Sequence, residues 1–120
     1  MSLPQLLQQV IEIKGVNSAA VVSGDGLMLE GASNNDTDLS FVGGLIASGL
    51  ASSRVLAGFL GDGEVSQTMI EYENGPVLLI PLGEEEAHVM VATLESTAAL
   101  GGARFKLRKL VPGIADAVRS

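Results

Sequence analysis

The sequence predicts an α+β fold in which helices cover one antiparallel sheet. Segments with helical and strand periodicity follow the order helix, two strands, helix, three strands, helix. Tight turns join the consecutive strands, and such turns connect antiparallel neighbours, whereas parallel strands need long crossovers. The five strands should therefore form a mainly antiparallel sheet with three helices on its faces. At 120 residues the chain is expected to be a single domain over residues 1–120.

An amphipathic helix and a hairpin are predicted at the start of the chain. Apolar residues at helical spacing favour a helix that Ser2 caps and Gly15 ends. The next two β-like runs, 19–23 and 27–32, flank the tight turn Gly24-Asp25-Gly26. We expect these runs to pair.

A long helix should follow, capped from the loop at residues 33–38 and ending near Leu60. The loop offers four capping side chains, Asn34, Asn35, Asp36 and Thr37. Between Thr37 and Leu60 the only charges are Asp38 and Arg54, and apolar residues surround most of the helix. A helix that is apolar all round is buried on more than one side. The sheet can cover one side, so a second molecule is the natural cover for the other.

The second group of strands begins with a half-polar segment at residues 64–73, which is typical of an edge strand. Asn74-Gly75 predicts a hairpin turn into the nearly all-apolar strand 77–82. A third strand is expected at residues 87–94. A closing amphipathic helix starts near Thr97, and Pro112 is expected to end or kink it.

Composition excludes several classes of protein. The hydrophobic fraction of 47% is too high for a disordered chain, and the absence of cysteine excludes disulfides and thiolate metal sites. The net charge of −7 disfavours general nucleic-acid binding. Residues 1–9 do not resemble a signal peptide, and the uncharged run 39–53 is shorter than a membrane span. We therefore expect a cytoplasmic protein without a transmembrane segment.

The sequence contains no recognisable catalytic, metal or cofactor constellation. His88 is the single histidine and is better explained as a surface or packing residue than as a general base. The run 84–86 of three glutamates fits a solvated turn better than paired catalytic carboxylates. Arg54 fits an exposed charge better than an arginine finger. No cofactor is expected, and a stand-alone enzyme is the remotest hypothesis.

Positive charge is concentrated near the C-terminus. Residues 104–120 carry a net charge of +4 and residues 1–103 carry −11. The cluster Arg104, Lys106, Arg108 and Lys109 is a candidate patch for acidic lipid, nucleic acid or protein, and equally fits a solvated helix face. Its lack of interleaved aromatic residues weakens the nucleic-acid alternative.

Several segments in their order resemble the roadblock (dynein light chain, light-chain-seven) family, and within it the small bacterial members similar to the MglB regulators. The resemblance covers almost the whole chain. The segments that carry it are Gly15-Val16, Ala19-Ala20-Val21-Val22, Asp25-Gly26-Leu27, the long helix rich in small residues, Asn74-Gly75-Pro76-Val77-Leu78-Leu79 and Leu100-Gly101. Departures are Gly43-Gly44 in the helix, the doubled glycine at Gly101-Gly102, and Pro112.

The resemblance implies a sheet with the long helix on one face and the other two helices on the opposite face. It also implies dimers in which the long helices pack together and the following strand pairs across the two-fold axis. On this chain the implied dimer interface runs over residues 41–60 and 65–72. The residues singled out within it are Phe41, Gly44, Leu45, Ala47, Ser48, Ala51, Ser52, Val55, Val65, Gln67, Met69 and Glu71.

The leading hypothesis is a homodimeric, non-catalytic regulator or adaptor of a small Ras-like GTPase, with a possible GTPase-activating role, as the resemblance implies. Arg54 and Ser52 are its candidate GTPase contacts. The alternative is a scaffold or ligand-sensing module of a signalling or motility assembly that binds no GTPase. Aspartate at Leu45 or Ile46 is expected to abolish dimerisation or folding.

Overall fold

The computed structural model describes residues 1–61, 63–83 and 88–119 and confirms the α+β class and the order of elements. The elements are α1 Leu3–Ile11, β1 Val16–Ser23, β2 Met28–Ser33, α2 Gly43–Leu60, β3 Thr68–Tyr72, β4 Gly75–Leu82, β5 His88–Leu94 and α3 Leu100–Arg119. Short 3-10 turns precede α2 at Ser40–Val42 and α3 at Thr97–Ala99. The run 84–86 and the predicted first residue of the last strand, at position 87, lie outside the described residues.

The five strands form one antiparallel sheet in the order β2-β1-β5-β4-β3. The strand predicted to be an edge strand, β3, is an edge, and β2 forms the other edge. Within the described chain β3 pairs only with β4, from Thr68 opposite Leu79 to Tyr72 opposite Gly75. Its outer backbone groups therefore have no strand partner.

Side chains that alternate along the central strands build two cores. Leu78, Ile80, Met90 and Ala92 pack with α1 and α3 on one face of the sheet. On the other face α2 packs on a smaller core that includes Leu79. The arrangement of the three helices implied by the resemblance is thus confirmed.

The predicted caps of the long helix are wrong. The side-chain amide of Asn34 donates to the backbone carbonyls of Ile11 and Val16, so a tertiary contact occupies it. Asp38 accepts a hydrogen bond of 2.9 Å from the Ser40 amide, at the start of a 3-10 turn whose N-cap is Leu39. As a result α2 begins only at Gly43, without a side-chain cap.

Other element bounds also differ from those predicted: β1 begins at Val16 and β4 at Gly75, ahead of the predicted runs 19–23 and 77–82, and β2 lies one residue later than predicted. Helix α1 starts with the predicted Ser2 cap, in a capping box with Gln5, but it ends at Ile11. Gly15 lies in the turn that follows, with a φ of 94°. Strand β3 is shorter than predicted, because residues 64–67 do not join the ladder.

Helix α3 does not end at Pro112 but continues to Arg119. Leu107 and Ile114, one on each side of the proline, are both fully buried in the core shared with α1. Packing on both sides of Pro112 thus outweighs the loss of one helical hydrogen bond.

Candidate functional site

Helix α2 exposes most of its apolar side chains. Phe41, just before it, is 89% exposed, and Phe59 is 87% exposed. Only Gly43, Ile46 and Leu50 of the helix are buried against the sheet. An apolar patch of this kind marks an interaction surface on a small folded protein.

By length and composition alone, the segment Ser40–Leu60 also resembles a membrane span. This segment is longer than the uncharged run 39–53 noted in the sequence, because it continues past Arg54, its one charged residue. This resemblance is weak, since the helix packs on a sheet and its buried residues belong to the smaller core.

Three contacts fix the orientation of α2 above the sheet. A Cβ atom at Gly49 would lie 3.0 Å from Leu79 Cδ1 on β4. Ser53 Oγ accepts a 2.7 Å hydrogen bond from Thr68 Oγ1 on β3. Arg54 lines a depression that also includes Pro81, at the far end of β4 from its hairpin turn.

The flank of α2 opposite Arg54 therefore faces the hairpin end of β4. Leu45 lies nine residues, or two and a half turns, before Arg54, so the two side chains point in opposite directions from the helix axis. Leu56 and Leu60 share the flank of Leu45 at helical spacing, and all three are exposed. Leu45 lies two residues after Gly43, near the β1–β2 turn, whereas exposed Ile70 and Tyr72 of β3 lie beside the C-terminal part of the flank, on the same sheet face as Thr68. We call this set, Leu45, Leu56, Leu60, Ile70 and Tyr72, the apolar notch.

A second set of exposed residues lies on the side of α2 that points away from the sheet. Phe41, Ser48, Val55 and Phe59 are spaced by seven, seven and four residues, so they form one stripe, called here the α2 crest. Gly44 lies beside the crest, and a Cβ atom there would meet nothing within 4 Å. The crest borders the notch, because Leu56 and Phe59 are neighbours at i,i+3 spacing, but it points away from the sheet.

The interface residues predicted from the sequence do not lie on one surface of the structure. Phe41, Ser48 and Val55 lie on the crest and Leu45 in the notch. Gly44, Ala51 and Ser52 are exposed elsewhere on α2, whereas Ala47 and Val65 are half-buried.

Met69 and Glu71 of β3 alternate with Thr68 and so lie on the α3 side of the sheet, and Gln67, just before the strand, also faces α3. With its amide oxygen facing α3, Gln67 accepts hydrogen bonds of 3.0 and 3.1 Å from Arg104, whose Nη2 also lies 3.8 Å from Met69 Sδ.

The interface ranges implied by the resemblance, 41–60 and 65–72, include the other four notch residues, Leu56, Leu60, Ile70 and Tyr72, without singling them out. Leu56 and Leu60 belong to the apolar run of α2. Ile70 and Tyr72 form the apolar alternate face of the strand. Because α2 is apolar on all sides, its sequence does not show how the helix is rotated about its axis. The sequence therefore could not show which flank remains uncovered.

Among the described residues, no group of three or more His, Asp or Glu side chains could hold a metal ion. His88 pairs with Ser23 across β5 and β1, near Asp25 in the β1–β2 turn. The Ser23 hydroxyl donates a hydrogen bond to Asp25 and accepts one of 3.1 Å from the Leu27 amide, and these bonds hold the turn together. A serine nucleophile would instead donate to its base, which here would be His88.

The candidate patch on α3 lies on the opposite side of the sheet from α2. Lys106, Arg108 and Lys109 are exposed and Arg104 is half-buried. Lys109 Nζ lies 4.4 Å from the centre of the exposed Phe105 ring.

Comparison with known proteins finds similar proteins both by sequence and by structure. Uncharacterized protein MJ0310 of Methanocaldococcus jannaschii is 25% identical over 107 residues, which are 89% of this chain and 91% of that protein. The structure of Myxococcus xanthus MglB superposes with a TM-score of 0.85 at 16% identity and covers 98% of this chain and 94% of that chain. A second structure, described as MglB with tetrameric arrangement, gives a TM-score of 0.84 at 19% identity, covering 96% of this chain and 86% of that chain.

At these identities the two structures establish the shared fold alone. The model of the Roadblock/LC7 domain matches residues 4–99, from α1 to the 3-10 turn before α3. The chain therefore belongs to the Roadblock/LC7 domain family.

Proposed function

We propose that the protein is a homodimeric, non-catalytic regulator or adaptor of a small Ras-like GTPase, acting in the cytoplasm as one Roadblock-like unit over residues 1–120. The observation that carries the proposal is the exposure of two distinct apolar surfaces on one helix. A monomer would leave both in water at a considerable free-energy cost. Two surfaces allow two partners.

The first partner is a second copy of the chain, seated in the apolar notch. The notch adjoins the outer edge of β3, whose backbone groups are ready to pair with another strand. Pairing of β3 with its copy would continue the sheet and bring the second α2 over Ile70 and Tyr72. Self-association of an MglB in a tetrameric arrangement supports this part of the proposal.

The second partner is the GTPase, which would contact the α2 crest. The crest points away from the sheet, so two copies joined through their notches would present two crests on one side of the dimer. Ser52 lies between the crest and the notch, and Arg54 lies on the flank away from the notch. The resemblance to MglB-like members supports a GTPase as the occupant.

Substitutions at two neighbouring residues test whether the apolar notch and the α2 crest bind different partners. Leu56 in the notch is 59% exposed and Val55 on the crest is 64% exposed, so aspartate at either position leaves the folded monomer intact. Leu56→Asp should give a monomer, because it would bury a charge against the second copy. Val55→Asp should remain a dimer and lose the GTPase. Sedimentation velocity and a GTPase-binding assay measure the two effects, and identical behaviour of the variants would contradict the assignment.

The structure also separates the two aspartate substitutions expected from the sequence to act alike. Leu45 lies in the notch, so Leu45→Asp should give a folded monomer. Ile46 is 7% exposed in the smaller core, so Ile46→Asp should unfold the chain itself. Far-ultraviolet circular dichroism distinguishes these outcomes.

The GTPase is identified by affinity capture from native cytoplasm with a GTP analogue or GDP. Retention of a Ras-like GTPase mainly with the analogue, by wild type but not Val55→Asp, supports the proposal, and hydrolysis rates then show whether the protein activates it. If no GTPase is retained in either nucleotide state, the protein is instead a scaffold or ligand-sensing module.

A further inference from the structure

The exposed side of α3 is a second kind of surface, with charge rather than apolar area as its main feature. Phe105 is 62% exposed, and its neighbours in sequence Lys106, Arg108 and Lys109 are exposed too. We call these four residues the basic crest. The family match covers residues 4–99 and so ends before α3.

The basic crest is electrically distinct from the rest of the molecule. The sequence before it carries −11, and residues 104–120 carry +4. Asp116, the single acid of α3, pairs with Arg119 further along the helix. On the neighbouring strand, Glu71 accepts a hydrogen bond from Thr97. Glu95 and Lys14 line one depression with Lys106, so one acid and one further cation lie beside the basic crest. Acidic groups more than one Debye length away, about 8 Å at physiological salt, are largely screened from a partner there.

The shape of this surface favours a broad partner over a peptide. The basic crest is the convex outer side of a helix, whereas peptides are recognised in grooves or along strand edges. Its one aromatic ring lies beside a cation, with Lys109 Nζ 4.4 Å from the ring centre. Cations attracted by anionic headgroups and an apolar ring at the headgroup boundary are the two contributions that hold peripheral proteins on bilayers.

We propose that the basic crest of α3 docks the protein on an anionic lipid bilayer, with Phe105 entering the headgroup boundary. The basic crest lies on the sheet face opposite α2. Docking through it therefore leaves the apolar notch and the α2 crest open to their partners. This inference does not depend on the GTPase.

Vesicle co-sedimentation of the full-length chain tests the proposal. The probes are vesicles of phosphatidylcholine alone and of phosphatidylcholine with 30% phosphatidylserine. Binding is expected only to the anionic vesicles and should disappear in 1 M salt, where the Debye length is about 3 Å. Absence of binding, or equal binding to neutral vesicles, would overturn the proposal.

Two variants of equal net charge locate the surface. Each Lys or Arg near an anionic bilayer strengthens binding about fivefold, so Arg108→Gln with Lys109→Gln should weaken it about 25-fold. Arg54→Glu lowers the net charge by the same two units on the opposite face of the sheet and should change binding less than about threefold. Equal losses in the two proteins would show that net charge, and not the basic crest, causes the binding.

Phe105→Ser separates a bilayer from other polyanions. It should weaken vesicle binding at least about threefold, because the ring no longer leaves water, and leave binding to soluble heparin unchanged. Unchanged vesicle binding by this variant, tighter binding of wild type to duplex DNA than to vesicles, or competition by soluble glycerophosphoserine would each assign the crest to another ligand.

Discussion

Thr68 and Ser53 join the edge strand to the long helix through their side chains. Thr68 Oγ1 donates a 2.7 Å hydrogen bond to Ser53 Oγ, and Ser53 Oγ donates a 3.0 Å bond to the Gly49 carbonyl. This chain of bonds is part-buried and lies beside the apolar notch. It therefore fixes the angle between the two elements that form the proposed dimer surface.

Thr68→Val should lower the free energy of unfolding by about 1 kcal/mol, because it removes one hydrogen bond and keeps the shape of the side chain. Urea unfolding at one fixed protein concentration measures the change, since dimerisation makes stability depend on concentration. Once Ser53→Ala has removed the acceptor, adding Thr68→Val should cost far less. Full additivity of the two substitutions would show that the hydroxyl groups are not coupled.

Gly43→Ala should destabilise the fold by about 1 to 3 kcal/mol. A Cβ atom at Gly43 would lie 2.2 Å from the Gly26 carbonyl oxygen, so the start of α2 could not approach the β1–β2 turn. Gly44→Ala is the matched control: a Cβ atom there meets nothing within 4 Å, and alanine favours the helix by up to about 1 kcal/mol. Thermal unfolding of both variants checks the contrast, which a loss of stability in Gly44→Ala would contradict.

The fold could be predicted from the sequence wherever local chemistry decided it. The Ser2 cap, the turn around Asp25 and the hairpin before Pro76 each follow from residue preferences that tertiary contacts do not oppose. The start of α2 could not be predicted, because Asn34 is a good cap by type but bonds to the carbonyl groups of Ile11 and Val16 instead. A local preference cannot reveal a competing partner that lies far away in the chain.

The interaction surface was predictable in kind but not in detail. The lack of charge on α2 indicated that a second molecule covers it, and the high exposure of Phe41 and Phe59 agrees with that expectation. Which flank faces Tyr72 depends on the angle of α2 across the sheet. That angle is set by the contacts of Gly49 and Ser53, which no periodicity encodes.

Ser40→Ala should raise the pKa of Asp38 towards its ordinary value. Hydrogen bonds from the Ser40 hydroxyl and then from the Ser40 amide lower the pKa of Asp38, against a smaller opposing effect of desolvation. The stabilisation due to a lowered carboxyl pKa is fully present above the unfolded pKa and is lost as the pH falls through the folded pKa. In wild type this loss should therefore occur only below about pH 4.

Carboxyl carbon NMR titration of wild type and Ser40→Ala measures the difference directly. A partial rise is expected, since the backbone amide of residue 40 still donates to the carboxylate. An identical Asp38 titration in the two proteins would show that the hydroxyl makes no contribution.

Pro112→Ala should raise the free energy of unfolding by about 1 to 2 kcal/mol. Proline in a helix interior lacks the amide hydrogen that would bond to the Arg108 carbonyl, and its ring crowds the preceding turn. Pro4→Ala is the matched control, because Pro4 occupies the first turn of α1, where an amide hydrogen has no helical partner. Urea unfolding should place Pro4→Ala within about 0.5 kcal/mol of wild type. If Pro112→Ala were no more stable than Pro4→Ala, the burial of Leu107 and Ile114 would be achieved without strain at the proline.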